Sequence, residues 1–176
     1  MKPGVGDAPA PLASPPAVEV LRHAPELGPG RVNVLEIVAP DPATQDIREA
    51  ERIVAGGRGL GGPNGFRGVG ELAEVLHAAV GASRVAVDSG WIESGRQVGQ
   101  TGKSVAPKLY VAIGISGASH HLMGMRGSEK IVAINNDPGA PIFSTCHLGA
   151  VADWNRLIPL LVRRIREDRG SVKWKR

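Results

Sequence analysis

Aromatic residues make up only 3 % of this 176-residue chain, and cysteine occurs once, at Cys146. A single thiol excludes an internal disulfide and fits a reducing cytoplasm, which is the expected compartment. Long hydrophobic runs are also missing. The longest centres on Val111-Ala112-Ile113-Gly114-Ile115, far short of the roughly 20 residues that cross a bilayer, so membrane insertion is not expected. The N-terminus has no continuous apolar segment of the kind a secretory signal needs. Asp7, Glu19 and Glu26 argue against a transit peptide. A zinc site built from His120 or His121 with Cys146 and His147 is not expected, since no pair among them has i, i+4 spacing and one thiol is available, and Cys146 next to His147 lacks the turn that would present a nucleophilic thiol.

What the chain has in quantity is glycine, 24 residues, with a formal charge of +4. Much of the excess charge lies in 163–176, where Arg163, Arg164, Arg166, Arg169, Lys173, Lys175 and Arg176 face only Glu167 and Asp168. Without interleaved aromatics or a nucleic-acid motif, this reads as a solvated basic end. No nucleic-acid partner is expected.

Residues 1–30 carry half of the 14 prolines and no aromatic residue, too little apolar surface to offset the entropy of ordering. The domain plan is therefore a flexible proline-rich leader with an orphan strand (Arg31 to Val38) and connector over 1–50, a folded domain over 51–168, and a basic tail over 169–176. Within the domain, Ile53–Ala55 reads as a buried strand ended by glycines 56–62, and Val69–Val80 as an amphipathic helix stopped by Gly81. Arg84–Val87, Leu109–Ile115 and Lys130–Asn135 read as further strands. Ser116–Gly124 reads as a short helix, and Leu157–Glu167 as a final helix with Asp153 a candidate N-cap. Continuous apolar strands alternating with helices predict an α/β domain, Rossmann-like, with a mainly parallel sheet between two helical layers.

Chemistry concentrates in three loops at strand ends. Gly57-Arg58-Gly59-Leu60-Gly61-Gly62 matches GxGxxG, with Asp88 placed like a ribose-binding carboxylate, which opens an NAD(P)-dependent oxidoreductase as an alternative. Pro63, Asn64 and Gly65 delay the helix that such a motif should start, and Arg58 adds a guanidinium suited to phosphate. Gln97-Val98-Gly99-Gln100-Thr101-Gly102-Lys103 offers amides and a hydroxyl to a polar ring. Ile115-Ser116-Gly117-Ala118-Ser119-His120-His121 places small residues at a helix start, where phosphate reaches free amides. Together the three loops imply a nucleotide without saying which.

At these residues, and at Val80 to Asp88, Val132 to Asn135 and Asp137-Pro138, the chain resembles the electron transfer flavoprotein α-subunit family over about Ala55 to Trp154. The resemblance implies a domain that holds FAD and passes single electrons without itself converting a substrate. Its implied cofactor contacts are Arg58, Ser83, Val98, Gly99, Gln100, Thr101, Ser116, Gly117, Ala118, His121, Asn135 and Asp153, with Arg84 over the isoalloxazine, Thr101 towards its N5 and His121 near its C2 carbonyl. Ser119, His120 and Trp154 join the candidate set at positions where the family usually carries other residues. Implied partners are an electron transfer flavoprotein β-type subunit, acyl-CoA or other dehydrogenases, and a quinone reductase. A non-redox interaction module that keeps the fold remains a further alternative. The family's preceding α/β domain is expected to be absent.

Overall fold

Five parallel strands form one sheet in the computed structural model, which describes residues 41 and 44–171. The leader, the Arg31–Val38 strand and the last five residues lie outside the described residues. In chain order the elements are β1 (Arg52–Gly56), α1 (Gly65–Leu76), β2 (Ala79–Ala82), α2 (Arg84–Asp88), β3 (Leu109–Ile113), α3 (Ser119–Met125), β4 (Lys130–Asn135), β5 (Leu148–Val151) and α4 (Trp154–Ser171). The spatial order is β2-β1-β3-β4-β5, every neighbour parallel. This is the three-layer α/β arrangement expected from the sequence.

Each inner strand is buried on both faces, so apolar residues serve both sides of the sheet. Ile53 and Ala55 of β1, Tyr110 and Ala112 of β3, and Ile131 and Ala133 of β4 pack with Leu122 and Met125 of α3. The alternate residues Val54, Val111, Ile113 and Ile134 pack with Leu72 of α1 and Ile158 and Val162 of α4. Sheet order reverses between β1 and β3: the chain leaves β1 towards β2 and later returns to the other side. In open parallel sheets, the loops diverge at such a point and leave a crevice at the carboxyl ends of the strands.

The third strand ends at Ile113 rather than Ile115 and the helix after it starts at Ser119 rather than Ser116, and two larger departures lie between residues 77 and 88. Arg84–Val87 is helix, not strand. The strand lies one turn earlier, at Ala79–Ala82, where Gly81 fits beside Ile53 with room for little more: an added Cβ would lie 3.0 Å from its Cγ2. Correspondingly, α1 ends at Leu76, because His77 turns left-handed (φ 48°) and its N–H returns to Ala73 and Glu74. Ala79 and Val80 continue the helical spacing by coincidence of period. Asp88 consequently sits on a helix rather than at a strand end. The sequence also missed β5, a four-residue edge strand whose Leu148 and Val151 are exposed. The final helix starts at Trp154 and runs to Ser171, with Asp153 as its cap: the carboxylate accepts the Asn155 N–H at 2.9 Å.

Candidate functional site

The β1–β3 crevice is a cleft of about 630 Å³. Two close backbone approaches shape it. After β1, Gly59 N–H donates to the Gly114 carbonyl at 2.9 Å. Gly114 itself is left-handed (φ 61°), and a Cβ there would lie 2.9 Å from Gly59 backbone, so loops one and three touch only because both residues are glycine. Gly117 (φ 84°) lies against Ile142, whose N–H donates to Ser116 carbonyl at 2.9 Å.

Of the sequence candidates, Arg58, Ser83, Arg84, Ser116, Ala118, Ser119, His120, His121 and Asn135 line this cleft. Gly117 shapes its wall without facing it. Val98, Gly99, Gln100 and Thr101 do not line it. They form a neighbouring turn clasped to α3, with Gln100 N–H donating to His120 carbonyl at 2.8 Å. Thr101 is exposed, and its hydroxyl accepts from Gln97 Nε2 at 2.9 Å. Trp154 lies outside the cleft, in a smaller one beside Gly61–Gly65, and its indole N–H donates to Gly59 carbonyl at 3.1 Å. Asp153, before it, is occupied in capping α4.

Several candidate side chains are already engaged. Asn135 is buried and straps two loops: Nδ2 donates to Ile115 carbonyl at 2.9 Å and Oδ1 accepts Asp137 N–H at 3.0 Å. Arg84 Nε lies 3.1 Å from Asp88 Oδ2, an exposed i, i+4 ion pair with side chains 63 % and 58 % exposed. Among the described residues, two buried atoms of the cleft have no hydrogen-bond partner, Ser83 Oγ and His121 Nδ1. Ser83 Oγ lies beside the two cleft arginines.

The 44–50 connector closes over the second loop: Lys103 Nζ is 3.1 Å from Asp46 Oδ1, and Arg96 Nη1 donates to Gln45 carbonyl at 3.2 Å. The Arg48 guanidinium first, and Lys103 after it, hold the Asp46 carboxyl well below the usual carboxylate range. At the cleft floor, His121 is 7 % exposed. Burial lowers its pKa to about 4, against a small opposing pull from the Val98 carbonyl, which completes no hydrogen bond to it. The ring is therefore neutral near pH 7. Its Nε2 lies 3.0 Å from the hydroxyl of Tyr110, a residue the sequence reading passed over as one more strand position. Its signal was available: the chain's one tyrosine stands in an apolar run, and a buried phenol needs a partner. Asn136 and Asp137 also line the cleft unanticipated.

Among the described residues, no group of three His, Cys, Asp or Glu is placed to hold a metal, and no helix is long and apolar enough to cross a membrane.

Residues 46–126 match the family described as the electron transfer flavoprotein FAD-binding domain. The chain is 53 % identical over 137 residues to electron transfer flavoprotein subunit alpha of Thermoanaerobacterium thermosaccharolyticum, covering 78 % of this chain and 42 % of that protein. It is 49 % identical over 137 residues to protein FixB of Clostridium saccharobutylicum, covering 78 % and 41 %, and 52 % identical over 126 residues to subunit alpha of Megasphaera elsdenii, covering 70 % and 37 %. The chain thus spans about two fifths of the length of these relatives.

Proposed function

Since the chain belongs to the electron transfer flavoprotein α family, we propose that its cleft holds FAD and that the protein carries electrons from dehydrogenases to a downstream acceptor. The observation that carries this reading is Ser83 Oγ. A buried hydroxyl without a partner costs free energy, and here it stands beside Arg58 and Arg84 in a crevice at the point where sheet order reverses. An anionic ligand with acceptor oxygens would meet all three groups.

The residues fit such a ligand in kind and in space. The cleft falls within the range of about 300–1,000 Å³ common for small-molecule sites. The glycine approaches at Gly59, Gly114 and Gly117 bring backbone close enough to line it without Cβ atoms. Arg58, Ser83, Arg84, Ser116, Ala118 and His121 would hold the cofactor directly, with Ser119 and His120 beside them. Asn135 would keep its two loops at the right separation. Val98, Gly99, Gln100 and Thr101, with Asp153 and Trp154, would join from the neighbouring turn and the α4 cap. FAD, when bound, supplies reversible one-electron chemistry. The protein's share is to orient it, to exclude water from one side, and to set fixed positive charge nearby. Asp88 on α2, paired with Arg84, removes the ribose carboxylate that the NAD(P) alternative needed.

The same reading takes 51–168 as the cofactor domain, a β-type subunit as its neighbour, acyl-CoA or other dehydrogenases and a quinone reductase as redox partners, and the cytoplasm as its compartment. Titration of purified protein with FAD tests it: about one FAD per chain, with a shifted visible spectrum, is expected. Protein that stays colourless after refolding with FAD overturns the reading. Asn135 and Asp153 are taken to meet the adenosine end of the cofactor, and FMN binding as tight as FAD would remove them from it.

A further inference from the structure

Tyr110, the second residue of β3, is fully buried, and the His121 imidazole is its hydroxyl's hydrogen-bond partner among the described residues, at 3.0 Å. The direction of that bond follows from what each choice leaves unmet. If Nε2–H donated to the phenol oxygen, the phenol proton would be buried without an acceptor, and the Nδ1 lone pair would be buried without a donor. If the phenol donates to Nε2, only Nδ1–H is left over, and the Val98 carbonyl lies on hand as a partial acceptor. Each unmet buried polar group costs free energy. The second arrangement leaves one fewer and prevails.

We propose that Tyr110 is a positioning residue: its hydroxyl donates to His121 Nε2 and fixes that ring at the cleft floor in one orientation, with its proton on Nδ1. The role reaches across elements, because Tyr110 lies on β3, His121 on α3 and Val98 at the second loop. It therefore ties the cleft floor to the turn containing Gln100 and Thr101. One consequence rests on the flavin reading. With His121 held as a neutral ring, the permanent cations of the cleft are Arg58 and Arg84, and Asp137 is the carboxylate that lines it with them. Compensation of any negative charge that a ligand acquires falls to the arginines.

The test uses the full chain labelled with ¹⁵N-histidine, without FAD, at pH 7, with His121 assigned by comparison with His121→Gln. The expected spectrum is a neutral ring protonated on Nδ1 with bare Nε2. Tyr110→Phe keeps the ring and loses the hydroxyl, so the Nε2 resonance should move towards that of an imidazole nitrogen that accepts no hydrogen bond. Wild-type His121 protonated on Nε2, or an unchanged pattern in Tyr110→Phe, overturns the proposal. Should Tyr110→Phe not fold, the wild-type pattern decides alone, since a structural tyrosine with no donor role would not impose Nδ1–H. An FAD titration of the wild type separates the two readings. FAD uptake with an Nε2–H ring sinks the positioning role and keeps the flavin, whereas no uptake with an Nδ1–H ring does the reverse.

Discussion

Replacing Arg84 with alanine should make bound FAD harder to reduce by its first electron while leaving the fold intact. Arg84 stands at the cleft mouth on α2, its Nε 3.1 Å from Asp88 Oδ2 and its side chain 63 % exposed. An ion pair so exposed contributes about 0–1 kcal/mol to stability, so thermal unfolding should barely move. The electronic effect is larger. A fixed cation about 4 Å from a newly acquired negative charge gains roughly 1 kcal/mol in water and about 4 kcal/mol at an effective dielectric near 20. The exposed flank places Arg84 near the lower figure, and the bound ring, by covering it, moves it towards the higher. For one electron, about 1.4 kcal/mol corresponds to about 59 mV, so the first potential should fall by roughly 40–170 mV. Asp88 supplies the control. Its carboxylate competes for the same guanidinium, so Asp88→Asn should raise that potential, by less than Arg84→Ala lowers it. Arg84→Lys keeps the charge but not the planar surface and should fall between. Spectroelectrochemical titration of the FAD-loaded variants reads all three. An Arg84→Ala potential within about 20 mV of wild type, half the lower bound, would refute the placement of this arginine against the flavin ring.

Acid should destabilise the protein through His121. The folded ring has its pKa lowered to about 4 by burial, while an unfolded histidine titrates near 6.5, so between those values the unfolded chain binds the extra proton and stability falls as pH falls. The contribution, about 3 kcal/mol, is present above pH 6.5 and gone below about 4. Denaturant curves of wild type minus His121→Gln should show that slope, and a flat difference would contradict it. Asn135→Ala strands the Ile115 carbonyl and the Asp137 N–H, and should cost about 1–3 kcal/mol and weaken FAD uptake; an unchanged urea midpoint would show the strap to be idle. Gly114→Ala forces a left-handed residue against Gly59 backbone. It should lose more than about 2 kcal/mol, whereas a fully stable variant would mean that the two loops can separate.

The layered fold was legible because it depends on short-range pattern. Apolar runs at Ile53–Ala55, Leu109–Ile113 and Lys130–Asn135 bury both faces of a strand wherever they sit, and glycines at their carboxyl ends mark close approach. Asp153 announced its helix because capping is local. The loops' ordered motifs also carried the flavoprotein resemblance, since phosphate- and ring-binding backbone demands particular small residues. Tertiary structure decided the rest. Whether 79–82 continued a helix or began a strand turned on the space beside Ile53, which no local period encodes. The short edge strand at Leu148–Val151 exists because β4 offers it a ladder. Sequence could place Tyr110 and His121 in a strand and a helix. Only the packing of α3 on β3 brings hydroxyl and imidazole to 3.0 Å, and only burial then makes the ring neutral, because desolvation is a property of the surrounding atoms and not of the residue.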